Sequence, residues 1–270
     1  MRLELWRAAR RLVRLTRLMP HLLLGGLTAY LLFPLLSLTE AGQVQREAIV
    51  RTWMQALLGI INVKLRPFGE VKTGAVFYCA NHISWLDIVC LRTLVGAVFI
   101  AKSEVRHWPL VGGMAEKAGT VFLRRGRQDD TGHVADRMTW MLSAGKSVMV
   151  FPEGTSTDGR LVRQFHARLY QAAIRMHGQV QAIAIRYPFG TAMNPAVPFI
   201  GDDNMARHLW RLLGENDITA DLHFCPALEA DRYERRALAH LTRSQILEAL
   251  NLKADDMNVS TPNHLINISS

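Results

Sequence analysis

The sequence predicts an α/β fold: a mostly parallel sheet flanked by helices, preceded by an N-terminal helical hairpin embedded in a membrane. Three observations predict it. From Leu65 onward short apolar runs alternate with helical periodicity, the pattern of strands joined by crossover helices. Before Leu65 the chain is basic and then almost uncharged, unlike the rest. Finally, polar runs follow three of the strands at their carboxyl ends, where open parallel sheets build their sites.

Residues 1–64 are expected to be membrane-associated. Arg2, Arg7, Arg10, Arg11, Arg14 and Arg17 recur at spacings that put most of them on one helical face, as in a basic amphipathic helix on an anionic lipid surface. His21 to Leu38 follows with hardly a charge. About eighteen residues make roughly 27 Å of helix, marginal for a hydrocarbon core of about 30 Å. Gly25, Gly26 and Pro34 weaken a straight span further. A cleaved signal peptide and a single spanning helix compete with a hairpin in which Ile49 to Val63 returns along the same leaflet. The second segment carries Arg51 and Gln55 and is short, so the hairpin is preferred. It leaves the following domain in the cytoplasm, at the inner membrane.

Residues 65–252 are expected to form the α/β domain. The predicted strands are Ala75–Ala80, Ala97–Ala101, Thr120–Leu123, Ser147–Phe151 and Gln181–Arg186. Leu222–Cys225 adds an edge strand. Helices are expected near Ser84–Val95, Asp129–Ala144, His166–His177 and Tyr233–Leu250. The segment 253–270, rich in Asn, Ser and Asp, is expected to be a disordered tail.

Composition narrows the partners. The 270 residues carry a formal charge of +9, which calls for an anionic partner or surface. No helix-turn-helix, zinc spacing or aromatic–basic RNA signature is present, so lipid is favoured over nucleic acid. Cys79, Cys90 and Cys225 are scattered in apolar runs without ligand spacing and read as buried, reduced thiols. His133, His166, His177 and His208 are far apart and read mostly as surface groups. Neither a metal site nor a cofactor is expected.

Chemistry concentrates in A-N-H-I-S-W-L-D, Ala80 to Asp87. A histidine can take and return a proton near neutral pH, and a carboxylate on its other ring nitrogen would fix the tautomer. Five residues along a helix is a rotation of about 140°, so His82 and Asp87 meet only if His82 lies in the turn and Asp87 in the first helical turns. The alternative is an ordinary strand-to-helix turn capped by Asn81 or Ser84. F-L-R-R-G (Phe122 to Gly126) and F-P-E-G-T (Phe151 to Thr155) follow two further strands. Together the three polar runs at one sheet edge are a stronger signal than any one alone.

N-H-x-S-x-x-D, V-F-L-R-R, F-P-E-G-T and A-I-A-I-R-Y-P, in this order, resemble the four blocks of the glycerolipid acyltransferase family. The resemblance spans roughly Val71 to Pro188. It implies acyl transfer from acyl carrier protein or coenzyme A thioesters to a lysolipid hydroxyl, with 1-acyl-glycerol-3-phosphate the first acceptor and lyso-ornithine lipid the second. It also implies that His82 is the general base and Asp87 its orienting carboxylate. Glu153, Gly154 and Thr155 match the acceptor-binding block, and free amides of that turn could serve an oxyanion. A structural reading of Glu153, bonding the turn's own amides, stands beside this. Arg124 and Arg125 match the block for the acceptor's phosphate, and Lys102 a lysine facing its head group. Ser84 reads as a helix-start residue. One departure is Ser156, where phosphate-using members usually carry arginine; Arg124, Arg160 or Arg163 compensates, or the head group is not a simple phosphate. Two other classes compete: a thioesterase in which His82 activates water, and a non-catalytic lipid-binding protein.

Overall fold

The computed structural model describes residues 2–107, 111–123 and 130–252. The chain begins with α1 (Arg2–Leu27), which continues through a π-helical turn (Thr28–Leu32) into α2 (Phe33–Leu36). The widened turn, closed by Phe33 N–H donating to the Thr28 carbonyl, lies just before Pro34, whose ring and missing N–H cannot fit a regular ladder. Neither Gly25–Gly26 nor Pro34 therefore ends the helix. A tight turn leads to α3 (Glu40–Ile61), capped by the Thr39 hydroxyl, which accepts from Gly42 N–H at 3.0 Å. A side chain at Gly42 would stand 2.1 Å from the Leu36 carbonyl oxygen, so only glycine allows this closure. The returning arm thus starts at Glu40, nine residues before the expected Ile49. The arms are stapled by Trp53, whose indole stacks on His21 at 4.4 Å and donates to its carbonyl.

The remaining elements are β1 (Val63–Phe68), β2 (Val76–Ala80), α4 (Trp85–Leu94), β3 (Ala97–Lys102), α5 (Val111–Lys117), β4 (Val121–Leu123), α6 (Asp130–Ser143), β5 (Ser147–Val150), α7 (Gln171–Arg175), β6 (Gln179–Arg186), β7 (Pro188–Phe189), β8 (Ala192–Met193), α8 (Met205–Gly214), β9 (Ile218–Phe224), β10 (Leu228–Glu229) and α9 (Arg235–Ala249). The main sheet runs β1-β9-β6-β2-β5-β3-β4, with β10 also on β6. From β6 to β4 all neighbours are parallel; β9 meets β6 antiparallel and β1 runs parallel to β9.

β1 and β9 depart from expectation, and the short β7, β8 and β10 occupy stretches given no element above. β1 begins at Val63, inside the expected N-terminal segment, in V-K-L-R-P-F; an edge strand tolerates Pro67 and an exposed, polar face. Its presence turns β9 from an edge strand into an interior one. The expected helix at His166–His177 is a 3₁₀ turn (Ala167–Tyr170) followed by the short α7, and α8 occupies a stretch given no element above. The tail 253–270 lies outside the described residues.

Every residue of β2 is buried, as a central parallel strand requires. Val76, Tyr78 and Ala80 face the core shared with α3, α4 and α8, while Phe77 and Cys79 face that of α6, α7 and α9.

Part of the arginine face of α1, Arg10, Arg11 and Arg14, turns inward, while Arg7 and Arg17 stay exposed. Arg14, only 7% exposed, donates to the carbonyls of Leu213 (3.1 Å), Glu215 (2.6 Å) and Asn216 (3.0 Å) at the end of α8. Arg10 bonds the Gly214 carbonyl, and Arg11 bonds the Trp210 carbonyl and lies over its indole at 5.1 Å. A helix C-terminus offers unpaired carbonyls and the negative end of its dipole, so these cations have a protein partner in place of the expected lipid one. What α1 and its continuation through the π-helical turn and α2 leave exposed is largely apolar, including Leu12, Leu23, Leu27, Leu31 and Leu35. The segment Glu4–Leu36 is long and apolar enough, by length and composition, to cross a membrane.

Candidate active site

The turn between β2 and α4 is shaped by its own polar side chains. Asn81 bridges to β6 like one more rung of the ladder, donating to the Ile185 carbonyl at 3.0 Å and accepting its N–H at 2.7 Å. Ser84 is the N-cap of α4 and forms a capping box with Asp87. The two readings of A-N-H-I-S-W-L-D are therefore both present: the cap holds the turn, and the same turn brings the histidine to the aspartate.

His82 Nδ1 lies 2.8 Å from Asp87 Oδ2. That oxygen also accepts the N–H groups of Ile83 (2.7 Å) and Ser84 (2.9 Å), and Oδ1 accepts the hydroxyl of Tyr187 at 2.7 Å. Asp87 is fully buried, and its four donors compensate that burial. With Oδ2 accepting, Nδ1 carries the ring proton and Nε2 holds the lone pair. Among the described residues none bonds Nε2, and the side chain of His82 is 20% exposed. Phe151 stacks on the imidazole at 4.1 Å and fixes its plane.

Glu153 comes to the same place from the end of β5, and its carboxylate serves the backbone. Oε1 accepts His82 N–H and Oε2 accepts Arg163 N–H, both at 2.8 Å. Burial to 4% exposure raises its carboxyl to about 7, against the opposing pull of the two amides and His82. The structural reading of Glu153 describes these contacts. Its turn is tied down elsewhere too: Thr157 N–H donates to the His82 carbonyl at 2.8 Å, and Arg243 of α9 donates to the Val162 and Arg163 carbonyls. Gly154 has φ 72°, which explains the glycine, but its N–H donates to the Phe151 carbonyl at 3.0 Å. That amide is committed inside the turn, so it is not one of the free amides the turn was expected to offer an oxyanion. Thr155 follows in the same turn, partly buried.

Ser156 donates its hydroxyl to the Phe199 carbonyl, while Phe199 N–H donates to the Ile83 carbonyl at 2.9 Å. The segment around Phe199 thus straps the two turns together from outside the sheet. It is backed by His208, fully buried rather than at the surface. His208 Nδ1 accepts the indole N–H of Trp85 at 2.9 Å, and Nε2 lies 2.9 Å from the Val197 carbonyl. Burial lowers its pKa, consistent with a neutral ring that accepts on one side and donates on the other. Arg160 is 81% exposed with Asp158 3.8 Å away, and Arg163 reaches the site through its amide. Lys102 ends β3, and its side chain lies outside the described part; Arg124 and Arg125 follow β4 and lie outside the described residues.

Among the described residues no thiol hydrogen-bonds His82, although Cys90 Sγ lies 3.9 Å from the Tyr187 hydroxyl. Cys79 lies on the opposite face of β2, its thiol pushed up to about 12 by burial, and Cys90 is raised by burial as well. Missed by sequence reasoning were Tyr187, Phe151 as a stacking partner, His208 and Arg243. For Tyr187 a signal existed: it stands next to last in A-I-A-I-R-Y-P, at the same sheet edge.

A protein-family model described as "Acyltransferase" matches residues 62–186. A lyso-ornithine lipid O-acyltransferase of Pseudomonas aeruginosa is 36% identical over 205 residues, 76% of this chain and 79% of that protein. A 1-acyl-sn-glycerol-3-phosphate acyltransferase of Neisseria gonorrhoeae is 34% identical over 197 residues, 72% and 75% of the two chains. The crystal structure of the 1-acyl-sn-glycerophosphate acyltransferase PlsC from Thermotoga maritima superposes with a TM-score of 0.59. It covers 89% of this chain and 98% of that one, at 18% identity, and so speaks for the fold.

Proposed function

The chain belongs to the acyltransferase family, and we propose that His82 serves it as the general base of O-acyl transfer from a thioester to the free hydroxyl of a lysolipid. The observation that carries this is the His82–Asp87 contact, with Nδ1 held at 2.8 Å and Nε2 left for a substrate. A lipid hydroxyl is almost wholly protonated at neutral pH, and a positioned base contributes about 10²–10⁴-fold. Nε2 takes the hydroxyl proton as the oxygen attacks the thioester carbonyl; Asp87 stabilises the imidazolium that results. When the tetrahedral intermediate collapses, the C–S bond breaks and the imidazolium returns its proton to the departing sulfur. The products are an ester and a free thiol. No enzyme nucleophile is needed, in keeping with the buried cysteines.

Glu153 acts in this reading by fixing the backbone of His82, and the Gly154–Thr155 turn forms the adjoining wall. Lys102, Arg124 and Arg125 are proposed for the acceptor's head group. Of the two acceptors, lyso-ornithine lipid is supported by Ser156, whose hydroxyl is spent on Phe199 at the position where phosphate-using members of the family usually carry arginine, and by the Pseudomonas relative. The Neisseria relative supports 1-acyl-glycerol-3-phosphate as the second reading. The apolar face of α1 supports a hairpin of α1 to α3, expected over residues 1–64 but ending at Ile61, seated in the cytoplasmic leaflet of the inner membrane, with the α/β domain that begins at β1 on the cytoplasmic side.

The test uses purified protein on anionic vesicles, with acyl carrier protein or coenzyme A thioesters and each lysolipid in turn. Thiol release must depend on the acceptor, and His82→Ala must lower the rate by about 10²–10⁴-fold. Steady release without lysolipid would identify a thioesterase instead. Protein that fails to float with the vesicles would refute the membrane reading.

A further inference from the structure

The fourth sequence block contributed only its order to the sequence argument, yet its tyrosine touches the site. Tyr187 follows directly on β6 and is fully buried. Its hydroxyl lies 2.7 Å from Asp87 Oδ1 and 3.9 Å from Cys90 Sγ. A phenol has one proton to give, and the carboxylate is the stronger acceptor, so the O–H points at Asp87 and the thiol is at most a weak donor to the same oxygen. Burial raises the ionisation of the phenol well above its usual value, so it remains a donor.

The geometry points to Tyr187 as a positioning residue, one that holds Asp87 in the orientation presenting Oδ2 to His82. Two further observations support this. The other three donors to Asp87, from His82, Ile83 and Ser84, all come from its own turn and all converge on Oδ2. Tyr187 alone, among the described residues, holds Oδ1, and it does so from a different part of the chain. The carboxylate is thereby gripped at both oxygens and cannot swing about its terminal torsion, which is intrinsically broad. Tyr187 is itself held in register. Two residues earlier, Ile185 is bonded at both N–H and carbonyl to Asn81, and the Tyr187 carbonyl accepts Asn194 N–H at 2.8 Å. Asn81, His82, Asp87 and Tyr187 thus form one closed loop of contacts between the first and fourth blocks.

This inference rests on the proposed role of His82, and its test separates the two. Tyr187→Phe keeps the ring and removes the hydroxyl. With whichever lysolipid the wild type turns over, kcat is expected to fall about tenfold or more, as for loss of a bond to a charged group, with both KM values within twofold. Added to Asp87→Asn, the same change should cost little more, because both act on one carboxylate. The far-downfield proton resonance of His82 Nδ1–H, assigned by its absence from His82→Ala, should shift or broaden in Tyr187→Phe. It needs no turnover and so tests the contact even if the acyl-transfer reading fails. As a second variant, 3-fluorotyrosine in place of Tyr187 retains the hydroxyl and should keep the activity and the resonance. The inference is overturned if Tyr187→Phe keeps kcat within twofold. It is equally overturned if its effect multiplies in full with that of Asp87→Asn, or if the loss only tracks lost folded protein while the resonance stays put.

Discussion

Replacing Glu153 by glutamine keeps the side chain's length and removes its charge. The wild-type carboxyl is 4% exposed and accepts one backbone amide on each oxygen, at 2.8 Å. Neutral glutamic acid still has a lone pair for both amides. Glutamine has one oxygen, so its NH₂ must face either His82 N–H or Arg163 N–H. Leaving such a buried donor without an acceptor costs about 1–3 kcal/mol. At pH 5, where wild-type Glu153 is protonated, Glu153→Gln should therefore be less stable by about 2 kcal/mol, or roughly 5 °C in Tm. The wild type then changes with pH. Between its ordinary value of 4.5 and about 7, the folded protein holds a proton that the unfolded chain has lost. Stability consequently falls as pH rises through that window, by about 3 kcal/mol in all. Glutamine does not titrate and lacks this slope. The gap should close by pH 8 and can reverse. Parallel thermal scans of both proteins at pH 5, 6, 7 and 8, at one scan rate, measure it. A gap that widens toward pH 8 would refute the reasoning, because it would mean that the two amides outweigh burial and favour the ionised form.

Two more outcomes follow from the same contacts. Arg14→Met should lower stability by about 2–3 kcal/mol, since it strips the end of α8 of a donor to several carbonyls; thermal unfolding and limited proteolysis of the α1–α8 contact would show it, and an unchanged Tm would dismiss the clamp. Iodoacetamide should leave native protein unlabelled and active, because Cys79, Cys90 and Cys225 are buried with thiols raised by burial, to about 12 at Cys79 and about 11 at Cys225. Labelling with loss of activity in the folded state would place a cysteine in the mechanism and refute this reading.

What could be read from the sequence was local. His82, Ser84 and Asp87 sit within six positions, so strand, cap and spacing together define their geometry before any tertiary contact is known. The parallel core strands were legible for a similar reason, since a buried run such as V-F-Y-C-A has few other uses. Tyr187 lies a hundred residues from Asp87, and no periodicity links them. Glu153 marks a different limit: residue type shows that a carboxylate is present, and left both readings open because it does not say whether it faces a ligand or two amides. The arginines of α1 show the limit of helical patterning, which tells which residues share a face and is silent about what that face meets. β1 was missed because an edge strand with a proline looks like a linker until its partner, β9, is in place.

The seat of α1 against α8 bears on how this protein could be shortened. Leu18 is 2% exposed and belongs to the same apolar cluster as β2 and α4, and Arg14 closes the end of α8. Removing the N-terminal helix to obtain a freely soluble catalytic fragment would open the interior beside the site and strand the carbonyls of Leu213, Glu215 and Asn216. The greasy outer surface and the structural inner surface belong to one helix. Solubility has to be sought by recolouring its outward leucines, such as Leu24 and Leu27, and not by cutting.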